Sequence, residues 1–336
     1  MGKYLKEFQS HSDYNTYITG QDKILPNVSY CVNENEVHYN PWYDPERFVA
    51  KFNVTTTTTA TSLFNNPTIL QELEIDGVKY NGNDIFSHYN HTFSTTGIHT
   101  VKYTLTDGTT SIDGGSFAGK SNMVSITIPD TITELGPGCF SGCIGLTKID
   151  IPNSVTTVGQ GSSGSCFGGC TNLRSVKMPN SVTTIGQGAL NGTNLAFEDV
   201  IFDSINPNAT FVVDTTNKCI TNIGGTVLLV AFSNTVAIPS TVTTIGNYAV
   251  NGCSDLTNIT IPNSVTTIGS FAFGLCTGLT SITSLATTAP AIEDETFYNI
   301  NTGGTLYVPS GSTGYDVWMG TGNYYLGKYN WTKVEQ

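Results

Sequence analysis

The sequence predicts a mostly β chain whose larger part is a solenoid of stacked short coils. Two observations carry this. One nine-residue segment returns almost unchanged, as Ile151-Pro-Asn-Ser-Val-Thr-Thr-Val-Gly159, Met178-Pro-Asn-Ser-Val-Thr-Thr-Ile-Gly186, Ile238-Pro-Ser-Thr-Val-Thr-Thr-Ile-Gly246 and Ile261-Pro-Asn-Ser-Val-Thr-Thr-Ile-Gly269. A looser copy is Ile128-Pro-Asp-Thr-Ile-Thr-Glu-Leu-Gly136. The prolines also keep step: Pro129 to Pro152 and Pro239 to Pro262 are each 23 residues, and Pro152 to Pro179 is 27 because Gly161-Ser-Ser-Gly164 is added. A fixed period of this size marks units that bury their apolar side only by stacking.

Each part of the unit has a physical role. Ile-x-Ile alternates with period two, so both isoleucines of a short strand point inward. Proline ends that strand because it has no N–H to donate to a ladder. Val-Thr-Thr-Ile is a second extended piece, a glycine turns the corner, and Ala-Phe with a later Leu fills the remaining side. A degenerate first copy carries Ile112, Phe117, Met123 and Ile126 at the expected offsets, with Lys120 in the cysteine position. It is expected to be the N-terminal cap, where a charge can face water. Between about 195 and 237 the frame is lost; Phe211-Val-Val-Asp214 and Gly224-Gly-Thr-Val-Leu-Leu-Val230 predict an inserted β-hairpin.

The repeat of residues 110–336 resembles the BspA-like class of leucine-rich repeats. Ala286-Thr-Thr-Ala-Pro290 and Thr305-Leu-Tyr-Val-Pro-Ser-Gly-Ser312 fit the usual ending of that class. The resemblance implies a leucine-rich-repeat solenoid that binds host or cell-surface ligands and is not an enzyme.

Two smaller units are expected in front. Within residues 47–109, Phe48-Val-Ala-Lys-Phe-Asn-Val54 alternates, Gln71 to Tyr80 reads as strand, Asp-Gly turn and strand, and Thr92 to Leu105 supplies two more. This predicts a small immunoglobulin-like β-sandwich joined stiffly to the first repeat. Within residues 1–46, a short helix across Asp13 to Ile18 and two strands joined at Asn33-Glu-Asn35 are expected. This opening and the domain order resemble virion proteins of Bacteroides-infecting gut phages. That resemblance implies a fibre or decoration protein: residues 1–46 attach it to other virion proteins, the solenoid meets a host-surface protein or glycan, and copies assemble as a homotrimer. A bacterial cell-surface adhesin is the alternative.

Composition narrows the function classes. The net charge is −12, so nucleic acid is not an expected partner. No stretch approaches 18 apolar residues, and Met1-Gly-Lys-Tyr-Leu-Lys places charge where the apolar core of a signal peptide begins. Synthesis in the cytoplasm without a leader is therefore expected. All five histidines lie before residue 100, which leaves the repeats no imidazole for acid–base or metal chemistry. His88-x-x-His91 near Asp84 lacks a strong third metal ligand. Glu293-Asp-Glu295 is a consecutive run, suited to a solvated loop rather than a spaced glycosidase pair. Cys143, Cys170, Cys253 and Cys276 share one repeat position, as structural thiols should. No catalytic residue, metal or cofactor is expected. For ligand contact, Tyr315, Trp318, Tyr324, Tyr325 and Trp331 crowd one short stretch, where they can stack on sugar rings or cap the open end of the stack; capping is favoured.

Overall fold

The computed structural model describes residues 47–112, 114–159, 165–193, 195–203, 205–206, 208–232, 236–293, 295–322 and 324–336, with the backbone of 31–33 and 36–38. Strands β1 (Cys31–Asn33) and β2 (Glu36–His38) pair antiparallel with Val32 opposite Val37. The helix expected across Asp13–Ile18, and most of the attachment module, lie outside the described residues.

The front unit contains β3 (Phe48–Val54), β4 (Thr61–Ser62), β5 (Leu70–Ile75), β6 (Val78–Asn81), helix α1 (Asn83–His88), β7 (Asn90–His91) and β8 (Gly97–Leu105). Asp76 and Gly77 both take positive φ, 48° and 87°, as the tightest β5–β6 hairpin requires. Four of these strands form one antiparallel sheet in the order β3-β8-β5-β6; β4 and β7 make a separate two-stranded ribbon. This differs from an immunoglobulin-like sandwich, which needs two sheets of several strands. The threonines 55–59 leave the sheet instead of extending it, and residues 83–88 coil into a helix. A fifth strand is borrowed from the first coil: β10 (Met123–Thr127), which follows β9 (Ser111–Ile112), pairs antiparallel with β3.

The core runs unbroken across that joint. Phe117 of the first coil meets Phe64 at 4.8 Å, Phe48 at 5.2 Å and Tyr103 at 5.3 Å between ring centroids. Tyr103 donates its hydroxyl to the Leu63 carbonyl at 3.0 Å. Lys120 does not face water as expected of a cap. It is 3% exposed and donates to Ser62 Oγ at 2.7 Å and to Asn65 Oδ1. Burial lowers its pKa to about 8. The front unit closes the stack, so the charge at its end is covered.

The coils carry two parallel ladders. The Val-Thr-Thr-Ile strands β9, β11 (Glu134–Leu135), β13 (Thr157–Val158) and β15 (Thr184–Ile185) form one, with Leu135 beside Val158 and Val158 beside Ile185. The Ile-x-Ile strands β12 (Lys148–Asp150), β14 (Ser175–Met178) and β16 (Val200–Phe202) form the other. Ile151, Met178 and Ile261, each just before its proline, are all buried. Behind them Phe117, Phe140 and Phe167 stack at 5.5 and 5.6 Å with near-parallel rings.

The interruption holds three strands rather than the expected two. β17 (Phe211–Asp214), β18 (Cys219–Asn222) and β19 (Val227–Ala231) form an antiparallel meander, and β19 then pairs parallel with β20 (Thr244–Ile245) to restart the ladder. The meander occupies one side only. At the glycine corner the flanking coils touch directly: Gly192 N–H donates to Asn251 O at 2.9 Å, and Asn191 Nδ2 donates to Tyr248 O at 2.8 Å. Beyond it, β22 (Thr267–Ile268) and β24 (Ala291–Ile292) continue the ladder restarted at β20, and β21 (Asn258–Ile261), β23 (Ser281–Ser284), β25 (Thr305–Val308) and β26 (Thr332–Glu335) form a second parallel ladder, separate from β12, β14 and β16.

Candidate functional site

The C-terminal aromatics separate by burial. Trp318 is 0%, Tyr315 1% and Trp331 4% exposed, and their polar atoms are engaged. The Tyr315 hydroxyl donates to Ser284 Oγ at 2.6 Å, Trp318 Nε1 to Pro290 O at 3.0 Å, and Trp331 Nε1 to Asn301 O at 2.7 Å. Trp318 continues the ring stack of Phe273 and Phe297, 5.4 Å from the latter. These three close the end of the solenoid and leave no face for a ligand, which removes them as contact candidates. Tyr324 and Tyr325 remain half-buried at the surface.

Tyr324 belongs to a larger array that the sequence pattern did not reveal. Tyr248 and Phe271 stack at 5.1 Å with their planes 1° apart, Phe271 meets Tyr298 at 5.5 Å, and Tyr298 meets Tyr324 at 4.8 Å. All four are half-exposed. Lys328 Nζ sits 3.6 Å from the Tyr324 ring centroid, a cation–π contact at the end of the row. Tyr329 lies alongside, its hydroxyl accepting the Asn299 N–H at 2.8 Å. Exposed Leu275 flanks the array.

The backbone beneath these residues is the informative part. Tyr248, Phe271, Leu275, Asn299 and Tyr324 all have φ between 52° and 60°. In most earlier coils the corresponding corners are glycines with positive φ: Gly115, Gly138 and Gly188 at the place of Tyr248 and Phe271, where Ser165 is the one exception, and Gly119, Gly142 and Gly169 at the place of Leu275. An L-residue with a bulky side chain costs about 1–2 kcal/mol there, and glycine avoids that cost. Four bulky residues, Tyr248, Phe271, Leu275 and Tyr324, hold such turns in one surface patch, where side chains are retained against local strain, a pattern associated with function.

Electrostatics around the row are mild. Burial first, and Glu295 second, raise the Tyr248 phenol above its usual range. Burial likewise raises Tyr329, partly offset by the Asn299 N–H. The row is an uncharged aromatic surface with a cation, Lys328, at its Tyr324 end and an anion, Glu295, near Tyr248.

The other weighed groups stay apart from it. His88 stacks on Tyr80 at 3.8 Å and donates Nδ1–H to Asp84 O, so the Asp84 main chain rather than its carboxylate is the partner. His99 is held by Asp76 at 2.5 Å and by Thr95 O at 2.9 Å. Burial and the neighbouring His88 lower the pKa of His91. Among the described residues no three His, Cys, Asp or Glu side chains converge to hold a metal ion. A shallow trough lined by Asn263, Val265, Thr266, Leu285 and the segment 286–289 contains no titratable side chain. No helix among the described residues is long and apolar enough to cross a membrane.

A family model described as a BspA type leucine rich repeat region matches in six copies over residues 89–209 and 221–318, more than half of the chain. The chain belongs to the BspA-type leucine-rich-repeat family. The gap in the match falls on the β17–β18 hairpin, so the BspA-type frame breaks where the meander enters. Comparison with curated proteins finds no match. Among solved structures, the BspA-type chain is similar to a leucine-rich repeat protein from Eubacterium ventriosum, at 22% identity and a TM-score of 0.39 over 61% of this chain and 66% of that one. It thus spans a little under two thirds of that protein. It is also similar to a leucine-rich repeat protein from Bacteroides ovatus (20% identity, TM-score 0.32, 65% of this chain and 61% of that one). A leucine rich cell surface protein from Faecalibacterium prausnitzii is a third (20% identity, TM-score 0.32, 69% and 83%).

Proposed function

We propose that this BspA-type chain is a non-enzymatic adhesion protein whose ligand lies across the Tyr248–Phe271–Tyr298–Tyr324 row. The observation that carries this is the exchange of glycine for aromatic side chains at strained backbone positions, on one face and in the later coils only. Half-exposed aromatic faces stack on sugar rings, and the net charge of −12 disfavours polyanions. A neutral glycan of a host-cell surface is the favoured ligand class, with a surface protein as the other outcome.

The finer placement is on a phage particle. Residues 1–46 attach the chain to other virion proteins, copies group as a homotrimer, and the solenoid points at the host. The order of units in the sequence supports that arrangement. Antibody labelling tests it: label on virions supports a fibre or decoration protein, while bare virions and a labelled bacterial envelope make the chain a cell-surface adhesin using the same face.

The face itself is tested with Tyr248→Gly/Phe271→Gly. Glycine suits both backbone positions, so the expected result is an unchanged fold by circular dichroism with at least tenfold weaker binding to a glycan array or to whole cells. Undiminished binding would sink the proposal.

A further inference from the structure

Seven cysteines have described side chains, and all are buried. Cys219 lies in the meander strand β18, and the other six are of two kinds. Cys143, Cys170, Cys253 and Cys276 recur at one coil position, and each points its S–H at a carbonyl of the preceding coil: Phe117 O, Phe140 O and Val250 O at 3.0 Å, Ala231 O at 3.8 Å. Thr193 fills the same place with a hydroxyl that donates to Leu190 O at 2.8 Å. A small buried donor is what this position requires.

Cys139 and Cys166 occupy a different position, directly before the stacked Phe140 and Phe167. The next three coils carry Ala189, Ala249 and Ala272 there, so a thiol is not needed for packing. Cysteine replaces alanine in two coils, and those two are neighbours. The Sγ atoms face each other at 3.3 Å, both side chains fully buried. Phe140 N–H donates to Cys166 O at 3.0 Å, so the two runs lie at ordinary inter-strand spacing. That spacing, about 4.8 Å, falls within the roughly 4.4–6.8 Å between Cα atoms that a disulfide spans.

We infer that Cys139 and Cys166 form an oxidation site, at which a small peroxide joins the two coils by a disulfide. One sulfur attacks the O–O bond of hydrogen peroxide, becoming a sulfenic acid and releasing a water. The second sulfur displaces the hydroxyl of that sulfenic acid, releasing another water and forming the S–S bond. Two thiols and one peroxide thus yield one disulfide and two waters, the two electrons passing from sulfur to oxygen. Peroxide is small enough to reach buried thiols during local opening. Burial holds the Cys166 thiol well above its ordinary pKa, so the reaction is slow at neutral pH and accelerates as pH rises. The link encloses the 27-residue coil, the one lengthened by Gly161-Ser-Ser-Gly164, and restricts its unfolded states.

The test uses the full chain, treated with hydrogen peroxide while folded, then denatured, alkylated and mapped by mass spectrometry. The expected result is a Cys139–Cys166 cross-linked peptide, with Cys143, Cys170, Cys253 and Cys276 still alkylated, and a melting temperature higher by about 5–10 °C. Cys139→Ala and Cys166→Ala install the residue that other coils carry, so both should fold, and peroxide should leave their melting temperatures unchanged. Both cysteines remaining alkylatable in the treated wild type overturns the inference. So does a Cys143–Cys170 link, or sulfinic acid without a link.

Discussion

The coils before the meander and those after it are built from the same repeat but treat one corner differently. In the first, Gly115, Gly119, Gly138 and Gly142 take the left-handed turns at no steric cost. In the second, Tyr248, Phe271 and Leu275 take those turns with large side chains. The buried ladders continue on both sides: Phe140 against Phe167 before, Phe273 against Phe297 after. The core therefore does not demand the aromatics. The difference teaches that in a solenoid the inward positions fix the fold, while the corner positions are free to vary.

The largest expected effect probes the shared core. Phe140→Ala removes a ring stacked on both sides and should cost about 3–5 kcal/mol in urea denaturation. Val250 holds the equivalent place after the meander, and Val250→Ala should cost clearly less because a smaller volume is lost. Equal losses would mean that the two halves do not share a packing plan.

The two ends sharpen the contrast next. The C-terminal end is closed by Trp318 and Tyr315, the N-terminal end by an ammonium buried under the front unit. With Lys120 near 8 when folded and near 10.5 when unfolded, the unfolded chain holds more protons between those values. Its contribution to stability consequently rises with pH across that window. Wild type should gain about 2 kcal/mol relative to Lys120→Met between pH 7.5 and 9.5. A pH-independent difference would show that the lysine keeps an ordinary pKa. The smallest effect addresses the corner itself: Gly138→Tyr copies the later coils into an earlier one, where an added Cβ meets only Gly115 N at 4.0 Å. It should cost about 1–2 kcal/mol by thermal melting, from backbone strain alone. No loss would weaken the case for selection at Tyr248.

Much of this was legible in the sequence, for stated reasons. Ile151, Met178 and Ile261 repeat together with their prolines, and burial of identical positions follows from stacking. The aromatic row was not legible, because nothing in the letters around Tyr248 or Phe271 announces positive φ; aligning them with Gly138 is the signal that could have found it. The strand Cys219–Asn222 was missed because only two of its four residues are apolar. The sandwich was expected because alternation reports strands and not how many sheets they form. Lys120 was placed in water because its partners, Ser62 and Asn65, lie more than 50 residues away and carry no pattern. Crowded aromatics such as Tyr315 and Trp318 look alike in sequence whether they cap or bind.

The strand Met123–Thr127 is claimed twice, as part of the first coil and as the edge of the front sheet. Neither neighbour can melt without stripping the other of a hydrogen-bonding row. A pull on the amino-terminal side passes through that strand into the first coil, so the front unit and the start of the solenoid share one load path instead of meeting at a hinge.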